Sequence, residues 1–325
     1  MHLPTISTTQ FATTRLTFAL LVSVGCLAPA LSEEKPENTE VTVSPKINLL
    51  DAGKGLKKTI RFQVKKGATQ QVFMTMRTAM VMSLNGQTFP SPKMPVQRMT
   101  LSVVVTDVKP NGDTLSTFEF KAVELEETEG LPAGLLTRVE QQIQPIIGLK
   151  GEVEMTSRGI NKRVQVHLPE NVPLGFEVLI GSIRQCLMQA SSAMPEEAVG
   201  VGGKWDVIQT LTVNNMTVTQ TLTQEIVGFE GPNVKLKTAI AQSAEPQDVQ
   251  LPGLPPGSKA QLLALESAGN GETLVSTSSI MPNHAKMKGT TKTKIEVTIG
   301  GQSQTMDTEI TMENELVGGG QSENK

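Results

Sequence analysis

Alternation between apolar and polar residues is strongest from Gln70 to Leu84, which reads QQVFMTMRTAMVMSL. The apolar residues on its even-numbered positions are Val72, Met74, Met76, Met80 and Met82. A period of two places all of them on one face of a β-strand. Such a strand measures roughly 45–50 Å, whereas strands in globular proteins usually measure ~17–20 Å. Because a long strand twists and coils, the pattern predicts a curved antiparallel sheet with a methionine-rich inner face.

Two turn sequences predict long hairpins with a defined register. In a hairpin with a two-residue turn, the numbers of opposed residues have a constant sum. A turn at Asn214-Asn215 predicts the pairs Val213–Met216, Thr212–Thr217, Leu211–Val218, Thr210–Thr219 and Val207–Leu222. A turn at Gly300-Gly301 predicts the pairs Lys294–Asp307, Lys292–Glu309, Lys288–Glu313, Lys286–Glu315 and Ile295–Met306. The opposite charges favour this register, although each pair contributes only about 0.2–1 kcal/mol.

Three more turns predict further hairpins. The Asn111-Gly112 turn predicts the pairs Val105–Phe118, Val103–Phe120 and Leu101–Ala122. A turn at Arg158-Gly159 joins residues 149–156 to residues 161–168, with Val153 opposite Val164. A turn at Gly269-Asn270 joins residues 259–268 to residues 272–281. Upstream, the alternating residues Ile60, Phe62 and Val64 predict a strand that precedes the methionine strand.

Two segments have the spacing of amphipathic helices instead. In residues 132–147 the apolar stripe consists of Leu135, Leu136, Val139, Ile143, Ile146 and Ile147. In residues 174–193 it consists of Phe176, Leu179, Ile180, Ile183, Cys186, Leu187 and Ala190. The order of elements predicts an α+β fold that is mostly β. We expect a large curved antiparallel sheet or unclosed half-barrel of about twelve strands, with the two amphipathic helices packed on its concave face.

The N-terminus has the layout of a secretory signal peptide. A polar stretch ends at Arg15, the apolar residues 16–24 follow, and cleavage after Ala30 or Ser32 would remove the segment. In the alternative Cys26 is lipidated, because residues 23–26 (SVGC) loosely resemble a bacterial lipobox, and only then would the chain be anchored to a membrane. We assign residues 1–32 to the signal, 33–45 to a flexible spacer, 46–317 to a single β-rich domain and 318–325 to a disordered tail. The protein is therefore expected to be secreted or periplasmic.

The composition gives little support for catalysis. A net charge of −3 offers no reason to expect nucleic acid as a partner. His167 and His284, the histidines left after signal removal, have no Cys or carboxylate partners at ligand spacing, so we expect no metal and no cofactor. The chain contains neither a G-x-S-x-G nucleophile elbow nor a P-loop, and we expect a non-enzymatic protein. Cys186 lies in an apolar helical pattern and is expected to be a small core residue.

Two proline-rich segments interrupt the strands. Residues 85–95 hold three prolines in NGQTFPSPKMP and predict a long loop. Residues 245–258 hold prolines around Leu251 and Leu254. This second segment is either a lid over the mouth of a cavity or a plain surface connection.

One family resemblance rests on residues 194–205, MPEEAVGVGGKW, in which a Pro-Glu segment and a glycine turn precede a Trp that starts a strand. Residues 148–166, GLKGEVEMTSRGINKRVQV, add a short hairpin between the two helices. These features resemble those of uncharacterised secreted bacterial envelope proteins, and the whole layout is similar to the LolA/LppX-like lipid carriers. That resemblance implies an unclosed antiparallel half-barrel with helices across its concave face, and a hydrophobic cavity that binds a lipid or acyl chain.

Two functions remain open from the sequence. The first is a carrier for a lipid or other hydrophobic ligand, because flexible Met side chains suit varied acyl chains. Its expected cavity-lining residues are Val72, Met74, Met76, Met80, Met82, Leu101, Val103, Val105, Phe118 and Phe120. The second is a structural or protein-interaction module of the cell envelope with a filled core. A contiguous apolar cavity of at least ~300 Å³ favours the carrier, whereas a filled interior favours the module.

Overall fold

The computed structural model describes residues 45–91, 93–131, 133–167, 176–189, 192–213, 216–251, 254–255, 257–319 and 322–323. Antiparallel strands dominate it, and their residue ranges are listed next. They are β1 (Lys46–Asp51), β2 (Lys54–Lys58), β3 (Ala68–Leu84), β4 (Gln87–Phe89), β5 (Val96–Val108), β6 (Thr114–Glu126), β7 (Lys150–Met155), β8 (Asn161–His167), β9 (Val199–Val201), β10 (Lys204–Val213), β11 (Met216–Glu230), β12 (Asn233–Ala244), β13 (Gln247–Val249), β14 (Lys259–Ser276), β15 (His284–Ile299), β16 (Gln302–Gly318) and β17 (Ser322–Glu323). The helices are α1 (Leu135–Ile143), which a short 3₁₀ turn at Gln144–Ile146 extends, and α2 (Phe176–Gln189).

Fifteen of the strands form one unclosed antiparallel sheet, more than the predicted number of about twelve. Its main path runs β1-β10-β11-β12-β14-β15-β16-β3-β5-β6-β7-β8. The short strands β13, β17 and β4 attach to the side of this path, and β2 pairs with β9 in a separate two-stranded sheet. The chain therefore builds the large antiparallel sheet that the alternation predicts.

The methionine strand β3 has one buried and one exposed face. Val72, Met76 and Met80 are buried, whereas Phe73 and Arg77 at odd positions are exposed. We call the side of the sheet that carries Val72 and Met76 the inner face and the opposite side the outer face. The predicted assignment of the even-numbered residues of β3 to the buried face is confirmed.

Charged pairs on the outer face hold the strands in register. The register of β15 with β16 and that of β10 with β11 are both as predicted. Three of the predicted pairs approach as ion pairs: Lys288–Glu313 at 2.7 Å, Lys292–Glu309 at 3.6 Å and Lys294–Asp307 at 3.8 Å. The alternation of sign continues through neighbouring strands in the order Lys204, Glu225, Lys237, Glu272, Lys286, Glu315. Because a slip by one residue would turn every charge to the other face, this row specifies the pairing.

The hairpin of β5 and β6 differs from the prediction by two residues. Val103 lies opposite Phe118 and Leu101 opposite Phe120. The turn is longer than two residues, because the Lys109 N–H donates to the Asp113 carbonyl and closes a wider loop. The shift of two residues leaves Leu101, Val103, Phe118 and Phe120 on their predicted inner face. Ala122 was predicted on that face as well, but a register shift between Thr100 and Leu101 places it opposite Thr100 on the outer face.

Gly269 and Asn270 do not form the predicted turn. They lie in the middle of β14, which continues unbroken and pairs with β12 on one side and β15 on the other. Gly269 faces Gly289 across the ladder, and a Cβ atom at Gly269 would lie 2.8 Å from the Lys288 carbonyl oxygen. Glycine therefore serves close approach of two backbones here, and the sequence signal of a turn was misleading.

The segment containing Ile60, Phe62 and Val64 is buried as expected but is not a strand. The Phe62 N–H donates to the Ser157 carbonyl and the Gln63 N–H to the Thr277 carbonyl, both at 2.7 Å. These bonds tie the segment to two separate turns instead of a ladder. The hairpin of β7 and β8 is confirmed, with Val153 opposite Val164.

Both predicted helices form over shorter ranges. Val139 and Ile143 of α1 and Ile180 and Ile183 of α2 are buried in one core cluster with inner-face residues of the sheet. Two predictions for these segments are wrong, because Ile147 and Cys186 are exposed. Ile147 lies beyond the 3₁₀ turn in extended conformation, and Cys186 lies beside the stripe that Ile183 and Leu187 form.

A second, smaller cluster lies where β11, β13, β14 and β15 meet. Its buried members include Val218, Leu262 and Ile295. Leu251 and Leu254 of the proline-rich segment 245–258 pack against it, so these residues cover a core.

Near the C-terminus, where the sequence predicted a disordered tail, Ser322–Glu323 pairs with Thr69 and Ala68 of β3. In the described part of the chain, no helix is long and apolar enough to cross a membrane.

An ionic cluster fastens the loop between β5 and β6 to the β7–β8 hairpin. Glu154 Oε1 lies 2.7 Å from Lys109 Nζ and 3.4 Å from Lys162 Nζ, and Lys162 Nζ lies 3.1 Å from Asp113 Oδ2. The hydrogen bond from Lys109 and the charges of both lysines hold the pKa of Glu154 below its usual value. A depressed pKa in the folded state means that deprotonated Glu154 stabilises the fold.

We predict that Gly269→Ala destabilises the protein by about 1–3 kcal/mol, because the added Cβ would clash with backbone atoms of β15 that have little room to move. Urea unfolding followed by fluorescence of Trp205 measures the loss. The matched control is Gly228→Ala, in a strand where an added Cβ has no atom within 4 Å. Equal midpoints for the two variants would contradict the close approach.

We predict that Glu154→Gln flattens the acid side of the stability profile. The contribution of Glu154 is complete above its pKa in the unfolded chain and disappears as pH falls through its lower pKa in the folded protein. Urea midpoints at pH 7 and pH 3 should therefore differ less for the variant than for the wild type. Glu152→Gln on the same strand is the control, since Glu152 forms no ion pair with the described residues. An unchanged difference in Glu154→Gln would rule out this role.

Candidate ligand cavity and outer groove

The predicted cavity-lining residues do come together on the inner face, but they pack against one another. Buried members of the first core cluster are Val72, Leu101, Val103, Val105, Phe118 and Phe120. The rings of Phe118 and Phe120 meet edge to face with their centroids 6.1 Å apart. Met74 is half-buried against the same cluster. This half of the predicted lining is a solid core.

The remaining methionines continue along β3 away from the first cluster. Met76 and Met80 are buried and Met82 is half-buried. Their cross-strand neighbours are mixed in character, because Met76 faces Gln97 and Asn314 while Met80 faces Ile310. The inner face is therefore less uniformly apolar than the methionine pattern suggested.

Buried glutamine side chains lie at separate places on the inner face, and sequence reasoning missed them. Gln242 donates a hydrogen bond to Gln220 at 2.5 Å between adjacent strands. The Gln70 Nε2 atom donates a hydrogen bond to the Met281 carbonyl at 3.2 Å, and the Met281 N–H donates to Gln70 Oε1 at 3.1 Å. In the sequence these glutamines look like the outer-face Thr and Gln residues that surround them. In the sequence, Gln220 and Gln70 differ from those outer-face residues only because they lie two residues from inner-face Leu222 and Val72, respectively.

A small interior cavity of about 30 Å³ lies between β10, β11, the β7–β8 turn and α2. Met188, Ile160, Leu222 and Gln224 are among its lining residues. The Oε1 atom of buried Gln224 has no hydrogen-bond partner among the described residues. A cavity of this size has room for a water molecule but not for an acyl chain.

The segment that carried the family resemblance seals this end of the core. Trp205 is fully buried, and its Nε1–H donates to the Ala193 carbonyl at 2.9 Å. Arg158 Nε–H donates to the Met194 carbonyl at 3.1 Å, and Arg61 donates to the carbonyls of Pro195 and Glu196. The motif therefore has a structural role: its hydrogen bonds hold the chain between α2 and β9 against the sheet.

The glycines before Trp205 let three segments meet closely. A Cβ atom at Gly53 would lie 2.5 Å from both the Gly200 oxygen and the Gly203 nitrogen. The Gly203 N–H donates to the Gly200 carbonyl at 2.9 Å, which makes the tight turn that leads into β10. The predicted role of this run, a backbone turn that admits Trp205 to the sheet, agrees with this geometry.

A larger space of about 360 Å³ opens on the outer face as a groove. Its charged lining residues are Lys204, Glu225, Lys237 and Glu272, and the others are Thr223, Thr238, Ala239, Asn270 and Gly271. Lys204 Nζ lies 3.2 Å from Glu225, so part of the charge is already paired. Neither this groove nor the small interior cavity touches Met74, Met76, Met80 or Met82.

The described residues hold no group of three or more His, Cys, Asp and Glu side chains that could bind a metal ion. His167 ends β8, and His284 begins β15 with its Nε2 3.6 Å from Glu315 Oε1 on the adjacent strand. The two histidines thus belong to different strands and lie outside both cavities.

We predict that Met80→Ala destabilises the protein by about 2–5 kcal/mol, since removing a packed methionine leaves a hole. The matched control is Met82→Ala, two residues along the same face but only half-buried, which should cost clearly less. Urea unfolding of both variants measures the difference. A loss at Met80 as small as that at Met82 would indicate that Met80 lines open space.

The chain matches no known protein family. No characterised relative was found for it either.

Proposed function

We propose that this protein is an exported, non-enzymatic interaction module of the cell envelope, whose partner binds at the outer groove. The observation that carries the proposal is the contrast between an inner face on which Val72, Leu101 and Phe118 pack in one core cluster and a groove of about 360 Å³ on the charged face. Small-molecule sites usually measure roughly 300–1,000 Å³ and are mainly apolar. The groove has a sufficient volume but a charged rim, which suits a polar segment of a protein partner better than an acyl chain.

The groove offers several kinds of contact to such a segment. Lys237 and Glu272 supply opposite charges on neighbouring strands, and Asn270 supplies an amide that donates and accepts. Ala239 has a small side chain on the outer face, so a partner backbone can approach the sheet between the charges. Charges around such a site favour selection of a partner and its orientation more than raw affinity.

In this proposal the two helices close the bowed side of the sheet instead of covering a ligand. The buried residues Val139 and Ile143 of α1 and Ile180 and Ile183 of α2 support it, because they share one cluster with Phe118 of the sheet. Residues 1–32 act as the export signal in this account, and they lie outside the described residues.

A carrier for a lipid or acyl chain is the second candidate. The observation that favours it is the small cavity beside α2, where the Gln224 Oε1 atom has no hydrogen-bond partner in the part of the chain that the structure describes. To enter there, an acyl chain would have to displace the end of α2 and break the hydrogen bond from Asn161 Nδ2 to the Leu187 carbonyl, which measures 2.7 Å. Such a carrier would have to open before it could bind.

Photo-crosslinking in cells of the source organism tests the proposed module. We expect a photoreactive residue at Asn270 to form an adduct with an envelope protein. The same residue at Thr298, on the outer face at the far end of β15, should form none. The charge reversal Lys237→Glu should reduce the adduct several-fold without lowering the amount of protein.

Native mass spectrometry of the purified protein separates the two candidates. The module should carry no amphiphile and should not raise the fluorescence of an apolar dye. A stoichiometric lipid adduct, combined with no crosslink from position 270, would contradict the module and favour the carrier. The absence of both a crosslink and a lipid would leave the proposal without its partner and would also count against it.

A further inference from the structure

One end of the molecule, around β2 and β9, exposes an unusual number of apolar side chains. Leu56 in the centre of β2 is 78% exposed, and Leu50 is 56% exposed. Val201 of β9 and Val227 of β11 are also exposed. The pairing of Lys54 with Val201, together with the hydrogen bond from Gly202 N–H to the Ile226 carbonyl, brings these segments to the same end. We call these four residues the apolar tip.

Two β-bulges help to produce the apolar tip. The register of β1 with β10 shifts between Leu49 and Asp51, and that of β11 with β12 shifts between Ile226 and Gly228. The extra residues are Leu50 and Val227, both of them exposed. A bulge leaves its extra residue out of the ladder and re-aims its side chain. Both bulges therefore add an apolar side chain to the same surface.

The three lysines of β2 lack the carboxylate partners that several lysines of the outer face have among the described residues. On the outer face Lys204, Lys288 and Lys292 each approach a glutamate as an ion pair. Lys54, Lys57 and Lys58 are exposed, and none of them forms an ion pair with the described residues. The Lys58 ammonium instead lies 5.0 Å from the centre of the Phe229 ring. Lys54, Lys57 and Lys58 thus place three positive charges on one short strand of a chain whose net charge is −3.

We propose that the apolar tip, together with Lys54, Lys57 and Lys58, docks the protein reversibly on an anionic lipid surface. Lysines attract the headgroups of anionic lipids, and the projecting apolar side chains enter the boundary between headgroups and acyl chains. Leu56 projects from a short strand in which every residue is exposed, so it can enter a fluid surface without a matching pocket. A stable protein interface buries about 800 Å² and roughly 20–30 residues per partner, whereas the apolar tip offers only the side chains of Leu50, Leu56, Val201 and Val227.

Vesicle co-sedimentation tests the docking surface on the protein as the cell exports it. We expect at least about tenfold tighter binding to phosphatidylcholine vesicles containing phosphatidylglycerol than to phosphatidylcholine alone, and a loss of binding in high salt. Leu56→Glu and Lys57→Glu should each weaken binding to the anionic vesicles by about tenfold or more. Both side chains are exposed, so neither substitution should lower the unfolding midpoint.

The matched control is Val81→Glu, which changes an exposed apolar residue on the outer face of β3. It should bind like the wild type. Equal binding to neutral and anionic vesicles, or wild-type binding by Leu56→Glu, would overturn the proposal. Binding to soluble polyglutamate without binding to anionic vesicles would also overturn it, because the surface would then serve an acidic protein.

Discussion

The whole structure depends on unbroken alternation between the inner and outer faces along very long strands. β3 and β16 have 17 residues each and β14 has 18. In strands of this length, one slipped residue would bury the lysines and glutamates and expose the core. The paired charges on the outer face make that slip costly, while Val72, Leu101 and Trp205 supply the burial that stabilises the correct register. Specificity and stability thus come from opposite faces of the same sheet.

A sheet that is both long and tightly packed needs places where backbones can come close. Gly269 and Gly289 provide one such place in the middle of β14 and β15, and Gly53, Gly200 and Gly203 provide another beside Trp205. The second place also fixes the chain that leads from α2 into the sheet. The side chains of the larger core cluster pack against one another. The surfaces proposed for function are therefore the outer groove and the apolar tip.

Sequence reasoning succeeded where a pattern had a single physical reading. The Lys–Glu pairs of β15 and β16 and the Thr-rich hairpin of β10 and β11 gave the correct register, because charge and parity agree along many residues. It failed where one signal has two meanings. Gly269-Asn270 looked like a turn but lies within a strand, since a turn and a close backbone approach both require glycine.

The presence of cavities and the exposure of bulged side chains could not be predicted from the sequence, for a different reason. Period two assigned Met76 and Met80 to the buried face, but it could not distinguish a packed core from a cavity wall. It likewise could not foresee the bulges that expose Leu50 and Val227, because a bulge depends on the register of the partner strand. The groove on the outer face arises between side chains of four adjacent strands, β10, β11, β12 and β14, and period two gives no measure of the space between them.

We infer that the methionine-rich inner face is a packed core. NMR of methyl-labelled methionine tests this most directly, because Met76, Met80 and Met312 are all buried on that face. We expect their methyl signals to be protected from a soluble paramagnetic probe and not to shift when a long-chain fatty acid is added. Saturable shifts of these three signals at one equivalent of fatty acid would contradict it.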